Sequence, residues 1–202
     1  KTKYPQGSEK HLIKAILDRE VPSGGLPLDV GVVVNNVGTA FAVYEAVVKG
    51  SPLIKRAVTV SGDGIKEPQN LEVKIGALFQ DLIEQSGGFN GQPQRVIMGG
   101  PLMGIAQYTT EVPVVKGTTG ILVFKDNGVI QSRPCIRCGK CIDVCPMYLM
   151  PTMYALLVEH KKWEEVEKYN ILDCIECGCC AYVCPSKIPL VHYIKYGKTE
   201  LL

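Results

Sequence analysis

The sequence predicts an α+β chain made of three consecutive units. Three observations carry that expectation. The first part runs helix, β-branched stretch, turn, helix. The middle runs strand, strand, helix, strands, which is the order of a β-grasp. The last part sets two copies of one cysteine frame on either side of a long helical link. The expected boundaries are residues 1–54, 55–128 and 129–202.

In the first unit, SEKHLIKAILDRE (8–20) reads as an amphipathic helix, with Ser8 as its cap and Leu12, Ile13, Ile16 and Leu17 as its apolar face. VPSGGLPLD breaks it with prolines and glycines. VGVVV reads as a buried strand from its β-branched run, NNVGT as a turn, and residues 40–48 as a second helix.

In the second unit, RAVTVSG and NLEVKI alternate and are joined by a Gly, Asp, Pro and Asn-rich turn, so they are expected to form a hairpin. GALFQDLIEQSGG is a helix with Leu78, Leu82 and Ile83 inward, stopped by Gly87 and Gly88. RVIMGG, VPVVKG and GILVF are read as three further strands.

In the third unit, CIRCGKCIDVCP (135–146) and CIECGCCAYVCP (174–185) share one frame. Three cysteines at equal steps can curl round one iron–sulfur cluster. The cysteine before the proline points away and ligates the other cluster, as in bacterial ferredoxin runs. The spacing therefore assigns Cys135, Cys138, Cys141 and Cys184 to one 4Fe–4S cluster, and Cys174, Cys177, Cys180 and Cys145 to a second. Zinc and disulfides are the alternatives. Zinc sites usually pair C-x-x-C units, and disulfides suit small secreted chains, so both fit this frame poorly.

Cys179 breaks the frame where the first copy has Lys140, and reads as a small space-filling residue. PTMYALLVEHKKWEEVEKYN is expected to be helical, with Pro151 in its first turn and EHKKWEEVEK as a solvated face. IPLVHYIKYGKTELL is expected to pack back over the clusters as a final helix. Met147, Met150, Met153 and Trp163 read as packing residues. His11, His160 and His192 read as surface or satisfied histidines.

Composition narrows the function. With 22 basic and 20 acidic residues, the chain offers no charge argument for nucleic acid. Nine cysteines without a recognisable secretion signal point to a reducing compartment. No run reaches the about 18 apolar residues of a membrane span. The chain starts KTKYPQG, without Met, and reads as a piece of something longer.

KYPQGSEKHLI, VPSGGLP, VGVVVNNVGTA, VTVSG, GGPLMG, VPVVKGTTG and DCIECGCCAYVCPSKIPLVHYIK, in that order, closely resemble the C-type subunits of the Rnf electron-transport complexes. These complexes are membrane-bound, ion-translocating ferredoxin:NAD oxidoreductases. The resemblance covers nearly the whole chain and implies the C-terminal portion of such a subunit. It implies a partial flavin/NADH-domain α/β segment, a soluble-ligand-binding β-grasp domain, and an α-helical ferredoxin domain with two 4Fe–4S clusters.

The implied role is electron transfer between NAD(H) and FMN and the partner subunits, peripheral to the cytoplasmic face of the inner (plasma) membrane. No protein acid, base or nucleophile is implied. Similarity of the first unit to the flavin-bearing subunit of respiratory complex I implies that Tyr4, Gly7, Glu9, Asn35, Asn36 and Thr39 contact flavin or nicotinamide. Ser8 departs from that pattern, where complex I has an acid. The family's glycine-rich flavin and NADH loop is also missing from this sequence, so FMN binding by this chain alone is expected to be weak or absent. Two other readings share parts of the pattern. One is a cobalamin reductase of similar architecture. The other is a β-grasp binding module in which the clusters are structural.

Overall fold

The computed structural model describes residues 2–126 and 131–202. The first residues of the expected third unit, 129 and 130, lie outside the described residues. The helices are α1 (Glu9–Leu17), α2 (Val37–Lys49), α3 (Phe79–Gln85), α4 (Lys140–Asp143), α5 (Pro151–Glu159), α6 (Trp163–Lys168), α7 (Cys179–Val183) and α8 (Leu190–Leu201). The strands are β1 (Lys55–Ser61), β2 (Gln69–Lys74), β3 (Arg95–Met98), β4 (Ile105–Gln107) and β5 (Gly120–Phe124). The chain divides into two compact units, Lys1–Asn35 with Ile130–Leu202, and Asn36–Val129.

The unit of residues 36–129 is a mixed five-stranded sheet in the order β2-β1-β5-β3-β4. β1 pairs antiparallel with β2 and parallel with β5, and β3 pairs antiparallel with β4 and β5. This is the β-grasp arrangement. The expected hairpin forms, with Val58 opposite Leu71 and Arg56 opposite Val73. Alternation in β1 turns Val58 and Val60 into the core, where they are 1% and 0% exposed. On the other face Thr59 donates to Asn70 at 2.7 Å. The helix α3 lays Phe79, Leu82 and Ile83 onto the sheet. Each such buried side chain contributes roughly 1.5–3 kcal/mol. Leu78, expected to point inward, is instead the N-cap residue of α3 and is partly exposed.

Gly62 follows β1 at φ +116, and a Cβ there would sit 2.0 Å from the Val123 carbonyl oxygen. Only glycine permits β1 and β5 to approach this closely. α2 starts earlier than expected because Asn36 caps it, accepting from the Gly38 amide at 2.9 Å.

Two strand expectations are corrected. VPVVKG forms no ladder strand. Pro113 makes only an isolated bridge with Leu78, although Val114 is fully buried. Proline has no amide to donate, so a ladder cannot run through it. The fifth strand is β4, at Ile105–Gln107. VGVVV is not a strand either. Val30 closes a 3-10 turn over Pro27–Val30, and Val33 is 69% exposed. A β-branched run becomes a strand only where a neighbour completes its ladder, and no described residue does so here.

In the unit that holds the cysteines, α5 and α8 pack around Tyr154, Leu157, Val158, Leu190 and Ile194. The Tyr154 hydroxyl, fully buried, donates to the Tyr169 carbonyl at 2.6 Å. Pro151 takes the expected first-turn position. The helical link is two helices rather than one. Lys161 adopts φ 54 between α5 and α6, and this reversal lets Val166 reach full burial on an otherwise solvated face. Trp163 stacks edge-on against Tyr196 of α8, with ring centroids 5.7 Å apart. Of the apolar face expected for α1, only Ile13 is buried, while Ile16 and Leu17 are exposed. Ser8 occupies the N-cap of α1 without a side-chain cap bond.

Candidate two-cluster cysteine site

The two frames fold as copies of each other. Arg137 and Glu176 stand at φ 55 and 56, Gly139 and Gly178 at 77 and 81, and Tyr148 and Lys187 at 54 and 53. Each member of a pair lies at the same step from the first cysteine of its frame. α4 and α7 begin at equivalent places, after Gly139 and Gly178, and α5 and α8 follow at equivalent places. Left-handed residues turn each loop tightly enough for its thiols to face one space. In both copies an amide donates to the first thiol, from Arg137 to Cys135 Sγ and from Glu176 to Cys174 Sγ, each at 3.4 Å.

The thiols line two cavities in crossed sets. One cavity is lined by Cys135, Cys138, Cys141 and Cys184, with Thr152 and Ile188. A second cavity is lined by Cys174, Cys177, Cys180 and Cys145, with Leu149 and Tyr154. Each takes three thiols from one frame and the fourth from the other. The thiols stand around a shared space, and among the described residues no three His, Cys, Asp or Glu side chains converge on one ion.

The two environments differ. In the second set Cys177 and Cys180 are buried, whereas in the first Cys135 and Cys138 are exposed and only Cys184 is buried. Burial, and then the neighbouring Cys174 thiolate, push the Cys180 thiol up to about 12. Burial also raises Cys174 and Cys141. The Arg137 amide, and then the Thr152 hydroxyl at 3.6 Å, lower Cys135. Buried thiols crowded in this way favour a cationic guest, which reverses the penalty of ionising them together. The chemistry of the donor set thus fits 4Fe–4S clusters. Cys179 is half-buried beside the second set and does not line its cavity.

A feature that the sequence did not signal is the lid on the second set. Tyr4 donates to the Cys177 carbonyl at 2.7 Å, and His11 Nε2 lies 3.0 Å from the Pro146 carbonyl. Ser23 donates to Asp173 at 2.5 Å, and Lys10 lies 3.8 Å from the same carboxylate. From the other side, Lys198 donates to the Cys174 carbonyl at 2.6 Å and to Glu176 at 2.8 Å. Of the residues expected near flavin, Tyr4, Gly7, Glu9 and Asn35 belong to this unit, and all four are exposed. Asn36 and Thr39 belong to the other, at the start of α2.

Fold and cysteine site together define a two-cluster iron–sulfur class of protein. Residues 134–188 match the 4Fe-4S dicluster domain family, 57–106 the SLBB domain, and 1–45 the Nuo51 FMN-binding domain. The chain is 54% identical, over 98% of its length, to the C-type subunit of the proton-translocating ferredoxin:NAD(+) oxidoreductase complex of Clostridium ljungdahlii, covering 44% of that protein. It is 52% identical over its full length to the Na(+)-translocating counterpart of Acetobacterium woodii, covering 46% of it. It is 47% identical over 99% of its length to the corresponding subunit of the ion-translocating oxidoreductase complex of Rhodobacter capsulatus, covering 39%. The chain is a homologue of the C-type subunits of Rnf complexes, and it spans less than half the length of these curated relatives.

Proposed function

We propose that this chain is the electron-transfer part of an NAD-linked, Rnf-type oxidoreductase complex. In this reading Cys135, Cys138, Cys141 and Cys184 hold one 4Fe–4S cluster, and Cys174, Cys177, Cys180 and Cys145 hold another. The observation that carries it is the crossed gathering of the thiols, each cavity drawing its fourth ligand from the other frame. Bound there, a cluster supplies reversible exchange of single electrons, which lets a flavin connect hydride transfer to one-electron carriers.

The protein's part is to hold and tune. The amides of Arg137, Glu176 and Leu149 donate to Cys135, Cys174 and Cys145 sulfurs, each at 3.4 Å, and stabilise negative charge there. Leu149, Tyr154 and Ile194 keep water from the second cavity. Tyr4, Gly7, Glu9, Asn35, Asn36 and Thr39 supply one side of an FMN and NAD(H) site in the longer protein. This chain lacks a glycine-rich phosphate loop, so it is expected to lose FMN on desalting, as read by absorbance.

The partners are the other subunits of a membrane complex, which would hold this chain peripherally at the cytoplasmic face. Among the described residues no helix is long and apolar enough to cross a membrane.

The test is an anaerobic iron and acid-labile sulfide assay, with EPR before and after dithionite. The expected result is about eight irons and eight sulfides per chain and a spin-coupled signal on reduction. Zinc in place of iron, or no spectral change on reduction, would remove the reading.

A further inference from the structure

The sheet of residues 36–129 has two edge strands, and they are built differently. β2 is a charged edge. Its Glu72 pairs with Lys55 at 3.4 Å, and Lys74 closes the strand. β4 is an uncharged one. No charged residue occurs between Arg95 and Glu111. Leu102, Met103, Ile105 and Tyr108 are nevertheless exposed, Tyr108 fully so. Ala106 is exposed as well, and it alternates with Ile105, so both faces of β4 are open.

β4 pairs with β3 alone. Among the described residues the other side of its backbone has no ladder partner. Natural sheets protect such an edge with charge, proline, a bulge or a cover, and of the usual devices β4 has only its shortness. The edge is also preformed. The Gly104 amide donates to the Gly100 carbonyl at 2.8 Å, and a Cβ at Gly104 would sit 2.5 Å from that oxygen. This tight turn between β3 and β4 holds Leu102 and Met103 out into solvent.

We propose that β4 is the docking edge for an extended, uncharged segment of another protein, which adds to the five-stranded sheet beside it. The open side of β4 supplies the backbone hydrogen bonds, and Leu102, Ile105 and Tyr108 supply apolar seats for alternate side chains of the segment. The chemistry of the occupant follows from the edge. A surface without charge offers no ion pair, so a charged segment would lose hydration there with nothing in return. A second copy of the chain fits less well. A stable globular interface takes about 20–30 residues a side, far more than this patch presents. An added strand needs only the edge. The surface depends neither on the clusters nor on the electron-transfer reading.

The experiment uses the intact chain, loaded anaerobically with iron and sulfide, and a capped, uncharged peptide, Thr-Val-Thr-Ile-Thr-Val, as probe. A fully N-methylated twin keeps the side chains and loses every amide donor. Hydrogen exchange read by mass spectrometry compares β4 with the β2 edge across salt concentration, and calorimetry gives the affinity. The edge variant is Ile105→Lys with Tyr108→Lys. Gln80→Lys with Gln85→Lys, both on the exposed side of α3, is the charge-matched control. If the edge variant fails to fold, Tyr108→Lys alone takes its place, because that side chain is fully exposed.

The probe should slow exchange at β4 at least about fivefold and leave β2 unchanged, and high salt should not weaken it, since no charges meet. The edge variant should lose at least about tenfold in affinity, against about twofold or less for the control. The N-methylated twin should give no protection. Absent protection at β4, equal protection at β2, or equal binding of the twin would overturn strand addition. Salt-independent dimerisation of the chain that the edge variant abolishes would overturn the partner segment in favour of a second copy. Tighter, edge-dependent binding to phosphatidylcholine vesicles than to the peptide would overturn it in favour of a lipid surface.

Discussion

The Tyr4 hydroxyl donates to the backbone carbonyl of Cys177 at 2.7 Å, tying the start of the chain to a loop that lies far along it. Tyr4→Phe keeps the ring and removes only the donor. The Cys177 carbonyl is then left to water, because half of the Tyr4 side chain is exposed. The expected cost is about 0.5–1.5 kcal/mol in chemical unfolding of the loaded protein. The reduction potential of the second cluster should shift while that of the first stays put, because only the second loop is held by Tyr4. Potentiometric EPR titration of the variant reads both. Equal movement of both clusters would show that Tyr4 acts only through general stability.

Crossed ligation has a signature that single substitutions cannot imitate. Cys184→Ser should cut the iron from about eight to about four per chain. Adding Cys135→Ser should cost little more iron, since both thiols line one cavity. Adding Cys174→Ser to Cys184→Ser should empty both sites, although those two cysteines share one sequence frame. Iron content of the two double variants decides it. If each frame held its own cluster, the two results would be exchanged.

The repeat of the cysteine frame was legible because spacing is local, and both loops curl alike through the matching left-handed residues Arg137 and Glu176. The β1–β2 hairpin was legible because alternation and a turn-rich connection are also local. VGVVV and VPVVKG misled because β-propensity describes a residue and not its partner. One stretch has no ladder neighbour among the described residues, and the other carries Pro113. The cover over the second set was not legible at all. Tyr4 and His11 bind carbonyl oxygens of Cys177 and Pro146, and a backbone acceptor leaves no trace in the identity of the residue that carries it.

Gly62 tests the close passage of β1 against β5. A methyl group there would overlap the Val123 carbonyl, and the φ of +116 is one that L side chains rarely adopt. Gly62→Ala is expected to destabilise the β-grasp unit by at least about 3 kcal/mol, from backbone strain and steric overlap together. Gly76, also at positive φ but with open space around it, is the comparison. Gly76→Ala should cost about 1–2 kcal/mol, from the left-handed backbone alone. Urea unfolding of both variants separates the two effects, and equal losses would show that the approach to Val123 relaxes.

Assembly of the clusters should depend on pH, with a sign fixed by the thiols. In the cluster-free fold Cys180 is raised to about 12, and Cys174 and Cys141 are raised as well, so these thiols hold their protons at neutral pH. Iron binds the thiolate, so loading releases those protons and becomes more favourable as pH rises. Cys135 is shifted down by the Arg137 amide and then the Thr152 hydroxyl, so it gives up its proton more readily than Cys174, Cys180 or Cys141. Reconstitution with ferrous iron and sulfide should therefore proceed faster at about pH 8.5 than at about pH 7, following the thiolate fraction. Stopped-flow absorbance of cluster formation across pH measures this. A rate independent of pH would mean that deprotonation does not limit loading.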